Sequence, residues 1–171
     1  MGNVESWEME ALAFYHDKHE LDLMPIDKYI DLVQFSTLPE KPDVEKFRTG
    51  RGGHKYPLFK TYTIAGTVVD KDKKKHLVYA LTQDGVVTVR YSKGQFIYYN
   101  NKDVSYIDKV KYVNPSWFER GTKLIFVGYR RNDEFILNNK NSNYEHSTMK
   151  INAYNSEQIQ IISNKVEQGW N

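Results

Sequence analysis

The sequence predicts a mainly β protein, a five-stranded Greek-key barrel with an N-terminal helical appendage. Three observations lead there. The apolar spacing changes from about 3.6 residues to about 2 near Tyr56, so a helical stretch gives way to strands. Beyond that point three alternating runs follow one another with short polar breaks, as in a meander. A long stretch without strand alternation then leads to two more strands, and this order of three strands, a partly helical crossover and two strands is that of the OB-fold.

The elements follow in chain order. Trp7, Ala11, Phe14 and Tyr15 recur at i, i+4, i+7 and i+8 and predict an amphipathic helix over residues 5–19, with Ser6 placed to cap it. Its apolar stripe is wide for a helix of that length, so it should dock on another element. A second helix is expected over residues 26–35, with Ile26, Tyr29, Ile30 and Val33 on one face and Pro25 at its start. Pro39, Pro42, Gly50, Gly52 and Gly53 punctuate a linker that ends at Tyr56-Pro57-Leu58. The domain organisation expected is therefore an acidic helical segment and linker over residues 1–55, the OB-fold barrel over 56–154, and a C-terminal tail or last strand over 155–171.

The first barrel strand spans residues 61–69, with Tyr62, Ile64, Gly66 and Val68 in alternation. Gly66 fits a strand that bends sharply to serve two sheets. A charged loop at 70–75 leads to the second strand at 76–82, Gln83-Asp84-Gly85 is a turn signal, and the third strand runs over 86–91. The crossover at 92–121 lacks strand alternation and holds Pro115 and a helical turn at Ser116-Trp117-Phe118-Glu119. The fourth strand is expected at 123–129, a turn at 130–133, and the start of the fifth at 134–137. The Asn-rich stretch 138–143 reads as a loop. Residues 144–154 either complete the fifth strand or form a sixth, and Ile159, Ile161 and Ile162 belong to a last edge strand or a tail.

Charge is segregated along the chain. Of 171 residues, 24 are Lys or Arg and 22 are Asp or Glu, for a formal charge of +2. Residues 1–47 carry −7, residues 48–131 carry +11 and residues 132–171 carry −2. A basic centre between acidic ends points to a polyanionic partner, because electrostatic footprints are local. In an OB-type barrel the ligand crosses strands 2 and 3 and is held by the loops joining strands 1–2 and 4–5. Here those loops carry Lys71, Lys73, Lys74 and Lys75 on one side and Arg130 and Arg131 on the other. His76 adjoins the first loop, and Thr88 and Arg90 have the outward parity of the third strand. These nine residues are the candidate nucleic-acid-binding set. Tyr79 shares parity with Leu77 and Leu81, and Tyr91 with Val87 and Val89, which makes both core candidates. Trp117 and Phe118 are placed to plug the barrel bottom, and of the adjacent Tyr98 and Tyr99 one at most can be buried.

Several chemistries lack their residues. Without cysteine there are no disulfides, thiolate zinc sites, iron–sulfur clusters or Cys nucleophiles. No apolar run reaches about 18 residues, and the start Glu5, Glu8, Glu10 is the opposite of a signal or transit peptide, so no membrane contact and a cytoplasmic location are expected. His16 and His19 stand three apart on a helix, but no third ligand has a metal-site spacing. Asp70 and Asp72 lie among lysines, where both stay ionised as counter-charges, with no apolar pocket to make either a general acid. Arg51-Gly52-Gly53 matches neither phosphate-binding glycine pattern and reads as linker. No catalytic residue, metal or cofactor is expected.

The chain also resembles a known family. Trp7-Glu8-Met9-Glu10-Ala11-Leu12-Ala13-Phe14-Tyr15, followed by His19 and Leu21, is similar to the segment preceding the OB domain of the bacterial DNA polymerase III alpha subunit, with Ala13 where that family has glycine and Glu20 where it has proline. Pro57-Leu58-Phe59-Lys60, Ile64-Ala65-Gly66-Thr67-Val68, Asp84-Gly85-Val86-Val87-Thr88-Val89, Lys93-Gly94-Gln95-Phe96, Ser116-Trp117-Phe118 with Arg120-Gly121-Thr122-Lys123, and Gly128-Tyr129-Arg130-Arg131 resemble the family's C-terminal OB region in the same order. The resemblance covers most of residues 5–150. It implies an OB module that contacts single-stranded DNA ahead of the polymerase site, with other parts of the polymerase or replisome as partners. The family's palm carboxylates, phosphoesterase-like domain and tandem hairpin motifs have no counterpart in these residues, so the expectation is a non-catalytic piece that is not itself an enzyme, whose Met1-Gly2 start reflects an engineered or stand-alone form. An RNA-binding OB module and a protein-interaction barrel are the alternatives.

Overall fold

The computed structural model describes residues 32–137, 147–154 and 159–162. The helix expected over 5–19, most of that over 26–35, and the loop at 138–143 lie outside them. The end of the second helix is not helical: Val33 N–H donates to the Thr63 carbonyl at 3.0 Å, which draws the backbone out along a barrel strand, and only a single 3-10 turn follows at Phe35–Thr37.

The stretch read as a linker is a hairpin. β1 (Val44–Thr49) pairs antiparallel with β2 (Lys55–Phe59), Phe47 facing Pro57 and Arg48 facing Tyr56. Its tip holds Gly52 and Gly53 at φ +81 and +79, a backbone region that side chains disfavour. The glycines interrupted the pattern because they make the turn.

The barrel begins with the meander β3 (Tyr62–Asp72), β4 (Leu77–Thr82) and β5 (Gly85–Arg90). The crossover follows: helix α1 (Lys93–Asn100), then a second hairpin of β6 (Asp103–Ile107) and β7 (Val110–Asn114). β8 (Lys123–Arg131) and β9 (Glu134–Leu137) complete the circuit. β8 pairs antiparallel with β3 along one edge and with β9 along the other, and β9 runs parallel to β5, so five strands close in the order β8-β3-β4-β5-β9. This is an OB-like closure, and it leaves no free barrel edge. β10 (Thr148–Tyr154) pairs with β8 over Leu124 to Phe126, and β11 (Ile159–Ile162) pairs with β10. Residues 148–154 thus form a strand of their own, separate from the fifth.

Two glycines are set by space. A side chain at Gly66 would place its Cβ 3.0 Å from the Ala80 Cβ and from the Leu81 carbonyl oxygen, so β3 and β4 meet there only because the atom is missing. A Cβ at Gly128 would run into the Ile136 carbonyl where β8 passes from β10 to β9.

Alternation sends Ile64, Val68, Val78, Ala80, Val87, Val89, Leu124, Phe126, Phe135 and Leu137 inward. One end is sealed by aromatics: Tyr91, Phe96 and Tyr99 pack with Trp117 and Phe118, with Tyr99 stacked on Trp117 at 5.2 Å and Tyr91 meeting Phe118 at 4.9 Å. The Tyr91 and Thr148 hydroxyls are hydrogen-bonded at 2.7 Å in full burial. Helix α1 supplies Phe96 and Tyr99 to this plug and leaves Tyr98 exposed. It starts at a capping box in which the Ser92 hydroxyl accepts from Gln95 N–H and the Gln95 side chain accepts from Ser92 N–H.

Two readings of the crossover and meander are corrected. The crossover does contain strands, β6 and β7, joined by a two-residue turn in which Asp108 and Lys109 take φ +51 and +67. That turn is ordinarily signalled by glycine or asparagine, and Asp-Lys conceals it. In β4 the inward residues are Val78 and Ala80, so Tyr79 faces outward with Leu77 and Leu81 instead of entering the core. An apolar run with both parities filled carried no information on which face was inside.

Candidate nucleic-acid interface

The expected binding loops sit at opposite ends of the barrel, and their surroundings differ. β3 runs on to Asp72, which pairs with Leu77, so the β3–β4 loop shortens to residues 73–76. The Asp72 carboxylate accepts hydrogen bonds from Lys74 and Lys75 N–H at 3.0 and 3.1 Å, which folds the loop and turns Lys73, Lys74 and Lys75 into solvent. His76 closes it at φ +59, with its ring 5.7 Å from that of Phe96. Lys71 does not join the exposed lysines. Its ammonium donates to Asn100 Oδ1 at 2.7 Å beside the end of α1, and burial, with Lys73 and Lys102 nearby, lowers its pKa against the opposing pull of Glu119 and Asp70.

Between the loops lies the outer face of β4, β5 and β9. Register places Tyr79 opposite Thr88, and Thr88 opposite Glu134. Arg90 is gripped by Glu134 in two hydrogen bonds of 2.6 and 3.0 Å, which raises its pKa and neutralises its charge on this face. The Tyr79 hydroxyl has its pKa raised by burial and by Asp72, Asp70 and Glu134. This face therefore offers Tyr79 and Thr88 as neutral contacts within an acidic surround, and its positive charge stands at the edges.

At the far end, residues 32–40 strap the barrel mouth. Ser36 N–H donates to the Asp84 carboxylate at 2.8 Å in the β4–β5 turn. Burial raises the Asp84 carboxyl, but the hydrogen bonds from Ser36 and Thr82 outweigh it and hold the pKa below the ordinary value. On the other side the Arg130 guanidinium donates to the carbonyls of Phe35, Leu38 and Asn132 at 3.3, 3.0 and 2.7 Å and lies 4.5 Å over the Phe35 ring. Its side chain is only 12% exposed. Arg130 is thus a tie between barrel and strap, whereas Arg131 stays exposed, 5.6 Å from the Tyr129 ring and 5.9 Å from that of Phe59.

Of the nine candidate residues, Lys73, Lys74, Lys75 and Arg131 present charge to solvent, Thr88 and His76 are half-buried at the face and loop, and Lys71, Arg90 and Arg130 are engaged within the protein. Sequence reasoning passed over both hairpins. Their signal was visible as alternation in Lys46, Phe47, Arg48, but the neighbouring prolines and glycines masked it. Among the described residues no group of three His, Asp or Glu could hold a metal, and no helix is long and apolar enough to cross a membrane. His16 and His19 lie outside those residues.

No family model and no solved structure matches the chain. Two curated proteins do: the "Probable DNA polymerase YorL" of Bacillus subtilis (strain 168) and the "DNA-directed DNA polymerase" of Bacillus phage SPbeta, each 37% identical over 167 residues. The alignment covers 96% of this chain and 13% of each relative. The chain is thus related over nearly its whole length to proteins named as DNA polymerases. This corrects the expectation that it is not an enzyme: the stretch taken to stand outside polymerase chemistry is one that polymerase-named chains carry.

Proposed function

We propose that the chain serves a DNA-directed DNA polymerase of the type resembling the polymerase III alpha subunit, and that its OB-like barrel holds single-stranded DNA during cytoplasmic replication. Lys73, Lys74, Lys75 and Arg131 contact phosphates, His76, Thr88 and Tyr79 line the path between them, and Lys71, Arg90 and Arg130 keep the loops in place. The observation that carries the reading is the exposed lysine loop of a closed barrel within a sequence related to polymerases. Positive edges track a backbone, and the neutral aromatic path suits bases that stack without sequence preference.

The test is fluorescence anisotropy with single-stranded DNA of graded length at several salt concentrations, with RNA of the same sequence in parallel. Each neutralised phosphate contributes about −0.7 to the slope of log affinity against log salt. Replacing Lys73, Lys74 and Lys75 by alanine should flatten that slope by roughly one to two units and weaken every sequence alike. Tighter binding of RNA would move the reading to an RNA module. A flat titration with both would favour a protein-binding role, for which the β6–β7 hairpin is suited: Val104, Tyr106, Ile107, Val110, Tyr112 and Val113 are all exposed there, as a surface facing other polymerase parts would be.

A further inference from the structure

The β1–β2 hairpin was absorbed neither by the barrel nor by the binding loops. All six residues of β1 are exposed, Phe47 at 65%, and Tyr56 across the ladder is 43% exposed. Register separates two faces. Lys46 and Arg48 share one with Tyr56, and Phe47 shares the other with Pro57 and Lys55. Arg51 stands at the glycine tip, where Gly53 has no neighbouring atom within 4 Å of the Cβ it lacks. From Val44 to Lys60 the chain holds Lys46, Arg48, Arg51, Lys55 and Lys60 against the single acid Glu45. An apolar hairpin face would have left its occupant open, but each face here sets one ring beside cations, Tyr56 with Lys46 and Arg48 on one and Phe47 with Lys55 on the other.

The hairpin is also continuous with the candidate interface. Its root is fixed to the barrel by Phe59 packed on Tyr129 at 4.8 Å, and Arg131 lies over both rings. Phe59 shares its face of β2 with Pro57 and Lys55, so a strand leaving the barrel face past Arg131 would meet Phe47 and Lys55 next.

We propose that the β1–β2 hairpin is a second binding element for single-stranded DNA, an arm whose two faces each stack bases on one ring, Phe47 beside Lys55 and Tyr56 beside Arg48, with these cations and Arg51 at the tip contacting phosphates. This rests on the reading of the barrel as a single-strand module and extends it to a surface outside the barrel. The tip suits close approach of a backbone at Gly53, where nothing lies within 4 Å of the missing Cβ. Exposed rings next to cations are what sequence-tolerant stacking with backbone tracking requires.

The experiment compares the full chain with three variants, Arg48→Ala with Arg51→Ala and Lys55→Ala, Phe47→Ala with Tyr56→Ala, and the lysine-loop triple alanine, using oligo-dT of 6 to about 30 nucleotides. The charge variant should flatten the salt slope by roughly one to two units. The aromatic variant should lose roughly 5- to 100-fold in affinity at an unchanged slope. Both losses should fall on the longer oligonucleotides and spare the shortest, which the barrel holds alone. Circular dichroism and the thermal midpoint should match the parent, because the altered side chains are solvent-exposed. If the parent and the hairpin variants bind all lengths alike while the lysine-loop variant is weakened, the arm proposal is overturned and the barrel reading stands. If the parent binds no oligonucleotide at low salt, both are overturned.

Discussion

In β8, Leu124, Ile125 and Phe126 are fully buried on both sides of the sheet, while in β1 every side chain from Val44 to Thr49 is exposed. Both are β-strands with regular antiparallel partners, so hydrogen bonding does not separate them. What differs is cover. The barrel interior takes one face of β8, and β10, with Ile151 and Met149 near Ala65 and Ile125, helps to cover the other. The hairpins have one partner strand and no covering layer, and an isolated two-stranded hairpin is marginal in water. Stability therefore belongs to the barrel, and the hairpins are free to vary in surface chemistry. Substitutions in the barrel interior should unfold it, and those in the hairpins should change what it binds.

The largest effect is expected at Gly128. Gly128→Val sets a side chain against the Ile136 carbonyl at the point of closure, and should cost about 4 kcal/mol or more, read as a drop in the urea midpoint and loss of the cooperative transition. A variant as stable as the parent would mean that β8 and β9 do not close as described. Arg130→Ala should come next, at about 2 kcal/mol, because it takes the guanidinium donor from the Leu38 carbonyl and leaves the Phe35 carbonyl only its bond from Leu38 N–H. It should also raise amide exchange at Ser36 and Leu38. If it instead lowers DNA affinity at unchanged stability, Arg130 is a contact and the strap is not held by it.

The aromatic plug gives the comparison a pH dependence. Burial pushes the Tyr91 phenol well above its ordinary value against a weaker opposing effect of the Thr148 hydrogen bond, and pushes Tyr99 up to about 12. In the unfolded chain both lose their protons near 10.0, so above that pH the unfolded state binds fewer protons than the folded one. Their contribution is whole below pH 10 and is lost as pH rises toward about 12. Urea midpoints at pH 8 and 11 should show the fall, and Tyr99→Phe should reduce it. An equal fall in parent and variant would remove Tyr99 from the plug. The smallest effect belongs to the second hairpin: Tyr106→Ser, at a residue 69% exposed, should change stability by under about 0.5 kcal/mol. A larger loss would show that β6–β7 is packed and not free.

Legibility followed the strength of local patterns. The meander was readable from Tyr62, Ile64 and Val68 and from the Asp84-Gly85 turn, because half-buried strands alternate visibly. The helix α1 was equally available in Ser92-x-x-Gln95, a capping signature that carries no strand alternation. Of the candidate site, the lysines at 73–75 were readable as loop charges, since nothing in a short polar loop can bury them. Arg130 was not, because its partners in the strap, the Phe35 and Leu38 carbonyls, lie more than ninety residues away along the chain.

By itself the sequence determined that this is a mainly β chain, with a basic centre and no cysteine chemistry, and which side chains are charged, aromatic or apolar. Those properties are local, and periodicity or composition reports them directly. Only the tertiary structure decided that five strands close through a parallel β5–β9 pair, that Tyr79 faces out while Val78 and Ala80 face in, and which of two adjacent arginines remains exposed. Each depends on groups brought together from distant parts of the chain, and one residue type, arginine, serves equally as a solvent-exposed cation at Arg131 or as a half-buried tie at Arg130. The difference is made by the carbonyls of the strap, which no pattern around the arginines encodes.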